Sequence, residues 1–199
     1  MNFITYYKTF ALCIFLIVAS VGLALSQDSK TNSLGVSVLA EFEFDKGFLP
    51  SLGFVFERTL TKRSGIETGI FYNTFRRDFN FFIPFPEGGG YSEYIKIRES
   101  YLTFPILYRF YAKSMTISAG PVFKTFAGWD QVSPNNSEVT SYEIHPTVDF
   151  GPLLKVSKPF TLGEMLILEP ELRFGIMAKA AIAYFGAGVQ LKQRLLQKK

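Results

Sequence analysis

Alternation of charged and bulky apolar residues is the feature that most limits what this chain can fold into. Residues 168–174 read Leu-Glu-Pro-Glu-Leu-Arg-Phe, with a charge at every second position. Side chains of a β-strand alternate between two faces, so this segment predicts a strand with one apolar and one ionic face. Looser versions recur along the chain, and the predicted fold class is therefore all-β.

The alternating pattern predicts eight strands separated by turn signals. We place them at 33–44, 51–61, 64–77, 94–110, 114–127, 143–156, 164–175 and 181–192. Most links are short and polar or glycine-bearing, which suits antiparallel hairpins, but Asp78–Glu93 and Gly128–Tyr142 are long and fall at the same end. Short turns at one end and long loops at the other are typical of outer-membrane barrels. We therefore predict an eight-stranded antiparallel up-and-down transmembrane β-barrel.

The first residues predict a cleaved signal peptide and hence export. Lys8 precedes an apolar run from Phe10 to Leu25, and small residues stand at Ala24 and Ser26. This pattern predicts cleavage after Ser26, leaving a barrel domain over 27–199 in the cell outer membrane. A membrane anchor is the alternative, but it would want about 20 apolar residues, and this run is shorter.

Alternation alone does not decide which face points inward. A soluble lipocalin-like ligand-binding barrel would show the same period with its apolar face inside. The interior of an eight-stranded barrel has room for few large side chains. The apolar positions carry bulky residues such as Phe54 and Phe56, whereas the charged positions alternate with glycines such as Gly53 and Gly69. We therefore assign the apolar face to lipid and the charged face to the interior.

This assignment predicts a polar network in the barrel interior. Its members are Glu41, Glu57, Glu99, Tyr101, Arg109, Lys124, Asp149, Lys155, Glu169, Glu171 and Arg173. Buried charges are tolerated when they are paired and hydrogen-bonded, so we expect a crosslinked core with no open pore. The turn positions predict Tyr101 opposite Lys124, and Asp149 near Arg173.

Four prolines fall within predicted strands, at Pro105, Pro121, Pro152 and Pro170. Proline has no N–H to donate to a β-ladder, so each one removes a hydrogen bond. β-Bulges at these positions would absorb the loss, and the sequence leaves the exact strand register there open.

A family resemblance rests on two consecutive strands. Residues 101–110 read Tyr-Leu-Thr-Phe-Pro-Ile-Leu-Tyr-Arg-Phe, followed by Gly120-Pro121 in the next strand. With Asp149-Phe150-Gly151 and the closing residues 185–189, they resemble the outer-membrane β-barrel domain family common in Bacteroidetes, which includes PorT-like proteins. The resemblance implies an eight-stranded outer-membrane barrel, with some members linked to secretion and gliding machinery.

The sequence offers little material for catalysis, metal or cofactor binding, and we expect none of them. Cys13 leaves with the signal peptide, so His145 is the sole imidazole and no thiolate remains. Ser141, His145 and Asp149 share a face of one predicted strand, but successive members lie about 13 Å apart, beyond hydrogen-bond reach. A lipid A-modifying outer-membrane enzyme centred on His145 is the alternative function. Scattered basic residues at a net charge of +4 argue against a nucleic-acid partner.

The first long loop carries aromatic side chains that an exposed loop seldom has. They are Phe79, Phe81, Phe82 and Phe85. Exposed apolar groups mark contact sites, so this loop is our candidate for binding an envelope protein partner. A strand extension folded over the barrel mouth and an aromatic belt at the lipid headgroups are the other interpretations. Trp129 and Tyr142 fit the belt. The leading hypothesis is a non-enzymatic structural or interaction module that contacts outer-membrane lipid.

Overall fold

The computed structural model describes residues 31–44, 47–84, 87–132, 142–143 and 146–195. They form nine β-segments: β1 Asn32–Glu43, β2 Gly47–Thr61, β3 Ser64–Pro84, β4 Gly90–Tyr111, β5 Thr116–Gln131, β6 Val148–Ser157, β7 Phe160–Leu162, β8 Leu166–Met177 and β9 Ile182–Leu195. The predicted signal peptide, with Cys13, lies outside the described residues. No helix in these ranges is long and apolar enough to cross a membrane.

The strands close into a ring. Apart from β6 and β7, which do not pair with each other, each pairs antiparallel with its neighbour in sequence. In addition, β1 pairs with β9, and β6 pairs with β8. β7 continues β6 after a break at Lys158 and Pro159, because both segments pair with β8 in one register, as in Leu153↔Gly175 and Phe160↔Leu168. The Lys158 N–H donates to the Pro170 carbonyl at 3.1 Å across that break. The ring therefore has eight strands, and the predicted antiparallel up-and-down barrel is confirmed.

The outer face of the ring is apolar and the inner face is mixed. Every strand of the ring exposes large apolar side chains at alternate positions, among them Leu52, Phe54, Leu172 and Phe185. The intervening positions are buried, and they carry most of the charged groups of the strands. An apolar exterior around a polar interior is the arrangement that a membrane barrel requires.

Apolar side chains also share the interior, which the sequence reasoning had given to charges and glycines alone. Leu39, Val55 and Phe71 form one buried cluster. Gly53 and Gly69 make room for the Phe71 ring, because a β-carbon at either glycine would clash with it. A second cluster consists of Leu107, Val122, Leu153, Met177 and Tyr184. The interior therefore fills partly by packing.

The region predicted as the first long loop is a β-hairpin. β3 continues to Pro84 and β4 starts at Gly90, and the two pair from Asp78↔Lys96 to Pro84↔Gly90. The prediction of a loop over Asp78–Glu93 is therefore wrong. Side chains around Phe79 and Asn80 continue the alternation of the earlier part of β3. The β3–β4 ladder therefore extends beyond the last residues that pair with β2 and β5.

The prolines do not disturb the register. The pairing offset stays constant on both sides of Pro105, and Pro121 lies directly opposite Pro152. The pairs around Pro170 are also continuous. The register shifts occur elsewhere, between Thr59 and Thr61 and between Ser100 and Tyr101. The ladder is interrupted beside Pro105 and Pro121, but the unchanged offset shows no bulge at these four prolines of the described strands, which answers the question that the sequence left open.

Candidate functional site

Arg109 is the centre of a buried ionic cluster in the barrel interior. It projects inward from β4 and is 1% exposed. One terminal nitrogen, Nη2, donates to Glu169 Oε1 on β8 at 2.6 Å. The other, Nη1, donates to Glu67 on β3 and lies 3.4 Å from Glu57 Oε2 on β2. One guanidinium thus joins carboxylates from three strands across the ring.

Two buried lysines extend this cluster. Lys155 on β6 contacts Glu67, and its Nζ lies 3.1 Å from Glu171 Oε2. Lys192 on β9 donates to Glu57 at 2.5 Å and also contacts Glu169. The result is a continuous set of ion pairs that spans the lumen, in which every carboxylate has at least one basic partner. A buried charge is tolerated when it is paired, whereas a buried charge left without its partner is strongly destabilising. Within the described part of the chain, the two Glu171 oxygens have ion-pair partners but no hydrogen bond.

A second polar layer lies nearer the end of the barrel that carries the hairpin. Lys124 contacts Glu43, and its Nζ lies 4.8 Å from the centre of the Tyr101 ring. The Tyr101 hydroxyl donates to Glu99 Oε2 at 2.5 Å. Tyr101 faces Phe126 in the ladder, not Lys124, which faces Thr103. The predicted register is therefore wrong by two residues, although the two side chains still meet.

Glu41 and Arg173 complete the interior. Asn73 Nδ2 donates to Glu41 Oε2 at 2.8 Å. Arg173 Nε lies 2.8 Å from Glu171 Oε1, and its guanidinium stacks 4.5 Å from the centre of the Phe71 ring. The charged and the apolar parts of the interior therefore meet at Arg173.

Asp149 has a different role from the predicted one. We expected it near Arg173, but Arg173 pairs with Lys155, and Asp149 lies opposite Lys124. Its carboxylate accepts hydrogen bonds from the backbone N–H groups of Lys179 at 2.9 Å and Ala180 at 3.0 Å. Asp149 therefore holds the turn between β8 and β9.

The barrel mouth at the end that carries the β3–β4 hairpin is lined by aromatic residues. The Tyr142 hydroxyl donates to Glu99 Oε1 at 2.5 Å, and its ring packs edge-on against Phe79 and Trp129 at 5.9 and 5.7 Å between centres. Burial, together with this hydrogen bond to a carboxylate, raises the pKa of the Tyr142 phenol. Tyr142 thus contacts an interior carboxylate, and the prediction that it belongs to a lipid-facing belt is wrong.

The aromatic residues of the candidate contact region separate into two groups. Phe79 is half-buried against Tyr142. Phe82 points outward and is 64% exposed. The side chain of Phe81 and the whole of Phe85 lie outside the described residues. Among the three interpretations of this segment, the structure shows a strand extension, with Phe82 as its exposed apolar group.

Sequence reasoning missed two basic residues that contact this network. Lys192 is the final residue of the last predicted strand. It lies two residues after Gln190, so both side chains are on the inward face of the strand. Arg77 ended the third predicted strand, yet its Nε lies 3.1 Å from Glu99 Oε1. Gly35 is the signal for Lys192, because a β-carbon there would clash with the lysine side chain. Such a contact follows from strand pairing and cannot be read from one strand.

The residues named for the catalytic alternatives, and the possible metal ligands, lie only partly within the described part of the chain. No group of three or more His, Cys, Asp or Glu side chains among the described residues is placed to hold a metal ion. Glu169 and Glu171 are both engaged in ion pairs with basic groups. Ser141 and His145, named for the enzyme alternative, lie outside the described residues.

Comparison with known proteins gives a likeness of shape alone. No protein-family model matches the chain, and no curated protein sequence matches it either. Among solved structures, the outer membrane protein OprG from Pseudomonas aeruginosa is 10% identical, with a TM-score of 0.49, over 86% of this chain and 98% of that one. The attachment invasion locus protein Ail of Yersinia pestis is 8% identical, with a TM-score of 0.46, over 83% and 97%. The resemblance to the Bacteroidetes-type barrel family stays a prediction.

Proposed function

We propose that this protein is a non-enzymatic outer-membrane β-barrel, closed to solutes, that serves as a structural and interaction module of the cell envelope. The observation that supports a closed barrel most strongly is the ionic cluster around Arg109. It links β4 to β2, β3 and β8, so side chains from distant walls of the ring meet in the lumen. A transport pore would instead keep its interior open and hydrated.

The apolar exterior supports the membrane location. Large side chains such as Leu52, Phe54 and Leu172 are more than half exposed on the outer face, while most of the charges of the strands are inside. A soluble ligand carrier would bury its large apolar side chains around the ligand and expose its charges. This distribution favours lipid as the surrounding medium over the lipocalin-like alternative.

The β3–β4 hairpin is the part of the barrel proposed to contact a partner. It extends beyond the neighbouring strands and exposes Phe82, Tyr91 and Tyr94. Exposed aromatic groups outside the lipid-facing band are a common feature of binding surfaces. We propose a partner from the cell envelope, in keeping with the secretion-linked members of the family that the sequence resembles.

Shortening the hairpin tests this function. Phe79 and Ile95 lie opposite each other as a hydrogen-bonded pair, so residues 80–94 can be replaced by an Asn-Gly turn without changing the barrel register. The control carries Asn-Gly in place of Lys113-Ser114, in the turn at the other end of β4, where the Ala112 N–H donates to the Met115 carbonyl. We expect both variants to show heat-modifiable migration in gels. Affinity purification from native membranes should lose its partner only with the shortened hairpin; identical partners for both variants would contradict the proposal.

A further inference from the structure

The β3–β4 hairpin has two strand edges that the neighbouring strands do not cover. β2 pairs with β3 only as far as Ser51↔Asn73, and β5 pairs with β4 only as far as Ile97↔Gln131. β3 and β4 continue to pair with each other up to Pro84↔Gly90. Within the described ranges, no strand covers β3 beyond Asn73.

Hydrogen-bond parity shows which backbone groups this edge presents. The Tyr111 N–H donates to the Arg63 carbonyl at 2.9 Å, so odd-numbered residues of β3 bond to β4. Residues in an antiparallel ladder alternate in direction, so the even-numbered ones turn their N–H and C=O groups to the other side. Asp78, Asn80 and Phe82 therefore direct their backbone groups to the uncovered edge.

The side chains of these residues give the edge its chemistry. Asp78, Asn80 and Phe82 are exposed on one face. From Asp78 to Ile95 the chain contains three acidic residues, Asp78, Glu87 and Glu93, and no lysine or arginine. Lysine is a residue that commonly protects an exposed strand edge from pairing. Only Asp78 of the three acidic residues lies on the β3 edge, where the exposed Arg76 precedes it and Lys96 stands opposite it on β4. From Asp78 to Ile83 the edge itself therefore carries one acidic and no basic side chain.

We infer that the β3 edge from Asp78 to Ile83 accepts an extended segment of a partner protein as an added antiparallel strand. The incoming segment has an apolar residue opposite Phe82 and, four residues later, a lysine or arginine opposite Asp78. Backbone hydrogen bonds supply the affinity in this mode of binding, and cross-strand side chains supply the specificity. The inference rests on the proposed function, since it specifies how the hairpin binds its partner.

Two synthetic peptides test the added strand directly. The first reads Thr-Phe-Thr-Ser-Thr-Lys-Thr, and the second has Glu in place of Lys. With the full chain in lipid nanodiscs, we expect the Lys peptide to bind at least about threefold more tightly than the Glu peptide. Amide hydrogen exchange should slow at Asn80 and Phe82. Binding of neither peptide, or binding without that protection, would overturn the inference.

Substitutions at the two edges provide matched controls. Asn80→Pro removes an N–H from the β3 edge, whereas Ser92→Pro removes one from the β4 edge, and neither takes a bond from the β3–β4 ladder. The Lys96 carbonyl accepts a hydrogen bond from the Val132 N–H at 2.8 Å. The backbone N–H and C=O groups of even-numbered β4 residues therefore point away from β3. We expect Asn80→Pro alone to abolish peptide binding, and Asp78→Lys to reverse the preference to the Glu peptide. Equal binding by both proline variants, or an unchanged preference, would overturn the inference.

The native partner separates this inference from the proposed function. A partner that Asn80→Pro keeps and the shortened hairpin loses would overturn strand addition while leaving the hairpin as the contact site. A partner that the shortened hairpin also keeps would overturn both.

Discussion

The lumen and the β3–β4 hairpin differ in whether their polar groups have partners within the barrel. In the lumen, Arg109, Lys155 and Lys192 are buried, and each contacts at least two carboxylates. On the hairpin, the backbone groups of Asn80 and Phe82 face an uncovered edge. Paired polar groups are rigid and closed to ligands, whereas unpaired ones are available to a partner. The contrast locates stability inside the barrel and recognition outside it.

The largest expected effect comes from removing the centre of the lumen. Arg109→Met leaves the carboxylates of Glu67 and Glu169 short of a buried cation, which should lower the free energy of unfolding by about 3–5 kcal/mol. Denaturant titration in lipid vesicles, followed by the fluorescence of the single tryptophan, Trp129, measures it. The control is Arg98→Met, which loses an exposed pair with Asp130 at 3.1 Å and should cost less than about 1 kcal/mol. Equal losses would remove the distinction between the two regions.

Asp149→Ala should have the next largest effect, because it removes the acceptor of the β8–β9 turn. The N–H groups of Lys179 and Ala180 would lose their partner, at a cost of about 1–3 kcal/mol. The same denaturant titration measures it. Glu164→Ala, in an exposed turn at the opposite end, is the control and should change stability little. A small effect of Asp149→Ala would show that the turn is held by other contacts.

Tyr142→Phe probes the boundary between the two regions. It removes the hydroxyl that donates to the buried Glu99 and should cost about 1 kcal/mol. Because Trp129 packs against Tyr142, the tryptophan emission should also shift. Tyr108→Phe, on the exposed outer face, is the control. An unchanged spectrum and stability would mean that Tyr142 does not rest on the barrel mouth.

The smallest effect is expected at the exposed hairpin. Phe82→Ala should change the free energy of unfolding by less than about 0.5 kcal/mol, since the ring is largely exposed. Phe71→Ala, the matched change inside the barrel, should cost about 3–5 kcal/mol. Thermal unfolding monitored by gel mobility compares them. Similar losses would show that the hairpin carries part of the barrel's stability.

The sequence determines which face of the sheet each side chain occupies better than it determines which residue lies opposite on the neighbouring strand. Lys124 was placed opposite Tyr101 because the turn was expected at Ala112 and Lys113, whereas the β4–β5 turn occupies residues 112–115. A register error of two residues keeps every side chain on its face, because strand side chains alternate with a period of two. The expected inward and outward faces therefore agree with the structure even where the partner is wrong.

The same reasoning explains the error at Asp149. β7 prolongs the strand past Lys158 and Pro159, so the turn falls later than expected and Arg173 meets Lys155. A proline in the middle of a strand resembles the end of one in sequence. The segment predicted as a loop over Asp78–Glu93 is a hairpin, and its glycines and prolines lie only near its tip, at residues 84–90. Contacts between strands distant in sequence, such as Lys192 with Glu57, depend on closure of the ring and have no local signal.

The most direct test of the closed lumen is electrical recording of the full-length protein in planar lipid bilayers. The protein is first reconstituted in liposomes, its folding is checked by heat-modifiable migration, and the liposomes are then fused with the bilayer. The paired charges around Arg109 predict no stable conductance steps for the wild-type protein across the accessible voltage range. Reproducible, long-lived channel openings from the wild-type barrel would contradict the account.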